Sequence, residues 1–114
     1  MAKRVVATTR VAADALAVLG TQVRLARHAK NWTAADLGAR IGVSARTITS
    51  IERGSPGVAI GTALNAASVA GVPLFGASGE ELSRLRRRGE DRVALIPRRE
   101  YQPRSGGDSD GLDF

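Results

Sequence analysis

The chain has 114 residues, with 17 basic and 11 acidic side chains for a formal net charge of +6. That length supports one small domain with a single core, plus a tail. Cysteine is absent, which rules out disulfides, thiol nucleophiles and thiolate metal sites, and a lone histidine, His28, rules out multi-histidine metal centres. Charge is uneven along the chain: residues 1–78 carry a net +6, residues 79–104 a net +3, and residues 105–114 a net −3 from Asp108, Asp110 and Asp113. A basic body of this kind favours a polyanionic partner, nucleic acid before a membrane surface.

Residues 1–9 read as a flexible arm. The apolar stretch from Val11 to Leu19 follows Lys3 and Arg4 as a signal peptide would, but Asp14 interrupts it and no small-residue cleavage pattern follows. No apolar run approaches the roughly 18 residues of a membrane span. The expectation is a soluble cytoplasmic protein, associated with the nucleoid and not with a membrane.

Val11, Ala15, Leu19, Val23 and Ala26 recur at helical spacing and predict a first helix over about 10–29. Thr33-Ala-Ala-Asp36 has the form of a capping box, opening a second helix with Leu37 and Ile41 inward. Gly42 suits the left-handed residue that closes it. Ser44 then caps a third helix, with Ile48 and Ile51 buried and Gly54 at its end. A fourth helix carries Ile60, Leu64, Ala67 and Ala70 on one face and ends at Gly71. Ser78-Gly-Glu-Glu81 opens a fifth along Leu82, Leu85, Val93 and Ile96, stopped by Pro97. Gly89 weakens that helix, and the alternation of Val93 and Leu95 leaves a short strand over 92–96 as an alternative. The fold class is all-α with five helices. The segment 76–104 forms a basic C-terminal extension, and the Gly/Ser/Asp composition of 105–114 predicts a disordered acidic tail.

Thr33 to Arg53 comprises two short helices joined by Ile41-Gly-Val-Ser44, the size of a helix-turn-helix whose second helix enters the DNA major groove. That second helix is polar outside and apolar inside, as groove insertion requires. Its candidate DNA-contacting residues are Ser44, Ala45, Arg46, Thr47, Thr49, Ser50 and Arg53, joined by Thr33 at the start of the first motif helix. Arg46 is the best base reader, because its fork matches guanine O6 and N7. Arg53 suits phosphate better. Trp32 reads as a core anchor and His28 as an exposed side chain. No P-loop, dinucleotide turn or nucleophile elbow is present, and Glu80, Glu81, Glu90 and Asp91 sit among arginines on a solvated face. The chain is therefore expected not to be an enzyme and to need no cofactor or metal.

Leu19-Gly20, Val23-Arg24, Arg27, Thr33-x-x-x-Leu37, Ile41-Gly-Val-Ser44, Thr47-Ile48, Ile51-Glu-Arg-Gly54 and Ala67-x-x-x-Gly71-Val-Pro-Leu74 together resemble the XRE family of phage-repressor-type helix-turn-helix domains. The resemblance covers about residues 16–75, within a DNA-binding domain taken as 10–75. It implies an internal ion pair between Arg27 and Glu52, and dimerisation on a palindromic operator. Ala34 departs from the family pattern, which commonly has a phosphate-anchoring glutamine there. Leu64, Val72, Leu74, Phe75, Leu82 and Leu85 supply apolar surface for a homodimer, part of it necessarily core. The segments after the motif, including Val93-Ala-Leu-Ile-Pro-Arg-Arg99 and the tail ending in Leu112 and Phe114, resemble the HipB-like antitoxins that pair with HipA-type kinase toxins. That resemblance implies operon autoregulation and toxin neutralisation. Leu112 and Phe114, apolar residues in an acidic tail with no core to join, are the expected partner contacts. The alternatives are a stand-alone regulator without a toxin, and a non-specific basic nucleic-acid-binding protein using Arg84, Arg86, Arg87 and Arg88.

Overall fold

The computed structural model describes residues 6–98. These contain five helices: α1 (Arg10–Ala29), α2 (Ala34–Ile41), α3 (Ala45–Glu52), α4 (Ile60–Ala70) and α5 (Gly79–Ala94). No strand occurs among the described residues; one isolated antiparallel bridge joins Leu74 and Ala77. The expectations for the acidic tail, Leu112 and Phe114 fall outside the described residues. No described helix is long and apolar enough to cross a membrane.

Local chemistry sets the helix ends. The Thr9 side chain accepts from Ala12 N–H at 3.0 Å and starts α1. Thr33 and Asp36 make a reciprocal capping box at α2, and Gly42 closes that helix at φ +79°, a conformation that costs glycine little. Ser44 caps α3 through Thr47 N–H. Ser78 and Glu81 exchange bonds of 2.7 and 3.1 Å at the start of α5. Only α4 begins without a side-chain cap.

The core lies between α1, α2, α3 and α4. Its largest fully buried side chains are Leu37, Ile48 and Val23, and α4 adds only Ala63, Ala66, Ala67 and Ala70. These alanines bring little apolar area each, but they let α4 close onto α1 and α2. Leu19, Ala26, Trp32, Ile41, Val43, Val58 and Leu74 cover the edges.

The apolar residues of α1, α4 and α5 divide between inside and outside. Val11 and Ala15 are exposed: α1 turns Gly20, Val23 and Arg27 inward, with Leu16, Leu19 and Ala26 half-buried beside them. Ile60 is 77% exposed and Leu64 only half-buried, because the room under α4 fits alanine alone. No residue of α5 is buried; Leu82 is half-covered, while Leu85, Val93 and Ile96 are exposed. The segment 92–96 is not a strand: α5 runs to Ala94 and Leu95 begins a turn, so the helix stops before Pro97 is reached. Contacts divide the chain within α5 into two units, Met1–Leu82 and Ser83–Phe114.

Of the apolar residues considered for a twofold contact, Val72 is buried and Leu64, Leu74 and Leu82 are half-buried. Phe75, at φ +55°, is 85% exposed.

Gly20 marks the closest approach of α1 to α3. A Cβ there would lie 2.5 Å from the carbonyl oxygens of Ile51 and Glu52, which are backbone atoms and cannot swing aside. Gly20→Ala is therefore expected to destabilise the fold by about 1–3 kcal/mol, read by urea unfolding. An unchanged midpoint would mean that the two helices separate at little cost.

Candidate nucleic-acid interface

Helices α2 and α3 with the Gly42-Val43-Ser44 turn form a compact helix-turn-helix. Gly38 permits the tight corner, since a Cβ there would meet the Val43 carbonyl oxygen at 2.5 Å. Ile48 and Ile51 anchor α3 in the core, which fixes which of its residues face outward.

The outward set divides by what already holds each side chain. Ser44 Oγ accepts from Thr47 N–H at 3.1 Å and lies 3.2 Å from Thr47 Oγ1. Thr49 Oγ1 donates to the Ala45 carbonyl at 3.1 Å, and Thr33 Oγ1 accepts from Asp36 N–H at 3.0 Å. These hydroxyls are positioned by local bonds. Ala45, Arg46, Thr49 and Arg53 are exposed, while Thr47 and Ser50 are half-buried. Among the described residues neither Arg46 nor Arg53 forms an ion pair. Both cations are available to an outside anion.

Arg27 and Glu52 supply the internal brace. Arg27 Nε donates to Glu52 Oε2 at 2.7 Å and Nη2 donates to Oε1 at 2.9 Å, a bidentate fork. The third nitrogen, Nη1, donates to the Trp32 carbonyl at 2.9 Å. The two side chains are only 10% and 7% exposed. The bond to Glu52 raises the Arg27 pKa above its ordinary value, outweighing the opposing effect of burial. At the other end of the motif, the Thr33 backbone and hydroxyl bonds hold the Asp36 carboxyl below its usual range.

One cationic arrangement has no counterpart in the sequence reading. The Arg40 guanidinium stacks 4.0 Å from the Trp32 ring centroid, and Lys30 Nζ lies 5.5 Å from the same ring. Trp32 is half-buried against the core, so it serves as core edge and as platform together. Seven residues separate Trp32 from Arg40, and the path of α2 brings them together. The available signal was an exposed Arg40 in the last turn of a helix that starts beside a tryptophan.

A protein-family model described as a helix-turn-helix domain matches residues 18–85, more than half of the chain. No curated protein and no solved structure matches it.

Arg27 stays charged, so removing Glu52 leaves an uncompensated buried cation. Glu52→Ala is expected to cost about 3–5 kcal/mol, whereas Arg27→Met with Glu52→Leu, which removes both charges, is expected to be nearly neutral. Equal losses in the single and double variants, measured by thermal unfolding, would show that packing and not charge accounts for the effect.

Proposed function

The chain belongs to the helix-turn-helix domain family, and from that premise we propose that it is a sequence-specific DNA-binding transcriptional repressor. The observation that carries this reading is the state of α3. Its apolar side is locked in the core, its N-terminus is capped, and its outward face presents Arg46 and Arg53 without ion-pair partners among the described residues. Such a helix brings its first turn to base edges in the major groove. Arg46, second in the helix, takes the base-reading role; Arg53 at the C-terminal end takes phosphate, and Thr33, Ser44, Ala45, Thr47, Thr49 and Ser50 line the contact. Nothing in this role requires catalysis or a cofactor.

An eight-residue recognition helix reads few base pairs, so the repressor works as a homodimer on a palindrome with half-sites about 34 Å apart. By its resemblance to HipB-like proteins, it serves as the antitoxin of a HipA-type kinase, repressing its own operon in the cytoplasm. The acidic tail carries the partner contact. Its net charge of −3 is repelled by phosphate, and Leu112 and Phe114 are apolar anchors suited to folding on a partner.

Arg46→Ala is expected to lower operator affinity by about 1–3 kcal/mol and to relax discrimination at one base pair, while the wild-type affinity falls about 10³–10⁵-fold between about 50 and 200 mM salt. Equal loss on all sequences would assign Arg46 to phosphate instead. A flat salt response would remove the DNA reading itself.

Truncation after Arg104 tests the partner role separately. Operator affinity is expected to hold or rise slightly while kinase binding falls about tenfold, or about 1.4 kcal/mol. Unchanged kinase binding by calorimetry would reduce the tail to a solubilising segment, and the absence of any kinase binding by the full chain would leave a stand-alone regulator.

A further inference from the structure

Helix α1 carries apolar residues on two faces. The inner one, centred on Gly20, Val23 and Arg27, packs into the domain. The outer one consists of Val11, Ala15, Val18, Gln22, Leu25 and Ala29, and every one of these residues is exposed. Val11, Val18 and Leu25 are 69%, 55% and 66% exposed. Their spacing alternates four, three, four, three, four along the whole helix. That is the 3.5-residue period of a coiled-coil seam. Only one of the six positions, Gln22, is polar.

The seam also begins where the family domain has not yet started. The family model matches from residue 18, so the first eight residues of α1, Arg10–Ala17, precede it. They contribute no buried residue to the fold. The Thr9 cap and the Arg10–Asp14 ion pair, at 3.2 Å, nevertheless hold them helical. Their last residues, Leu16 and Ala17, lie against Gly54, and Val11 and Ala15 lengthen the outer stripe to almost the whole helix, about 30 Å.

We propose that this outer face of α1 pairs antiparallel with the same face of a second copy of the chain, and so supplies the twofold contact of the homodimer on which the proposed function rests. The stripe is complementary to itself in one antiparallel register. Setting Val18 against Gln22 of the second copy brings Ala15 against Leu25 and Val11 against Ala29, and the symmetry repeats each layer. Large side chains then meet small ones in the Ala15–Leu25 and Val11–Ala29 layers, with Val18 and Gln22 paired at the centre, which lets the two helices interdigitate at a shallow crossing angle of about 20°. The flanking positions agree: Asp14 falls opposite His28 of the second copy, twice. A parallel pairing sets Ala15 against Ala15 and Ala29 against Ala29, leaving gaps at both layers. The outer face includes none of the outward side chains of α3, so the contact leaves Arg46 and Arg53 open to DNA.

The absence of cysteine makes single-cysteine variants direct reporters. On mild oxidation of the full chain, an equimolar mixture of Ala15→Cys and Leu25→Cys is expected to form the mixed disulfide. It should form faster than either homodisulfide and faster than cross-links of Asn65→Cys, an exposed position on α4. Val18→Lys, at an exposed position, is expected to keep the wild-type far-ultraviolet circular dichroism and to weaken self-association about tenfold or more by sedimentation equilibrium. A dimer that persists in Val18→Lys without the Ala15–Leu25 cross-link overturns this assignment and leaves the dimer itself to another surface. Preferential Ala15–Ala15 cross-linking overturns the antiparallel register. A wild-type chain that is monomeric at concentrations saturating the operator overturns both this contact and the dimeric reading.

Discussion

The Arg27 guanidinium is bonded through all three of its nitrogens, and those bonds tie α1 to two other places in the fold. Two reach Glu52 in the last turn of α3, and one reaches the Trp32 carbonyl just before α2. Gly20, seven residues earlier on the same face of α1, lets the final carbonyls of α3 come close enough for the fork to close. Burying both charges costs about as much as their attraction returns, so the pair contributes orientation more than net stability. Its effect is to fix the exit of the recognition helix and the entry of the helix before it against one rigid rod.

That constraint matters because α3 has only eight residues, too few to be stable as an isolated helix. Ser44 holds its start, Ile48 and Ile51 hold its middle, and Arg27 holds its end through Glu52. With all three in place, rotation about the helix axis is closed off, and the outward direction of Arg46 becomes a property of the core. The Trp32 platform extends the same logic to a neighbouring cation, since Arg40 gives up part of its rotamer freedom by stacking.

Helix ends were legible in the sequence because caps are local chemistry. Thr33 with Asp36, Gly42, Ser44, and Ser78 with Glu81 each act within four residues, and neighbouring positions suffice to recognise them. Faces were less legible. In α4 apolar residues occupy several sides, so period alone gave no direction, and the space available under the helix selected alanines over Ile60 and Leu64. In α1 two apolar faces lie side by side, and a chain of three- and four-residue steps from Val11 to Ala26 crosses from one onto the other. In α5 the spacing of Leu82, Leu85, Val93 and Ile96 marked a stripe without saying what it meets, and no residue of that helix is buried. The helix-turn-helix frame was readable from spacing and glycine placement. The stacking of Arg40 on Trp32 was not, because it depends on the course of a whole helix.

A core closed by four alanines has a further consequence. It brings helices close together but offers little room, so larger apolar side chains must go elsewhere. Leu37, Ile48 and Val23 take the interior, while Val11, Val18 and Leu25 remain outside on a helix that already belongs to the fold. Helix α1 thus has two separable faces. Its inner face sets the orientation of α3 through Gly20 and Arg27. Its outer face holds none of the residues that set that orientation. A change on the inner face acts on how α3 is presented. In the proposed homodimer, a change on the outer face would act on how two such helices are spaced, which is what a palindrome measures.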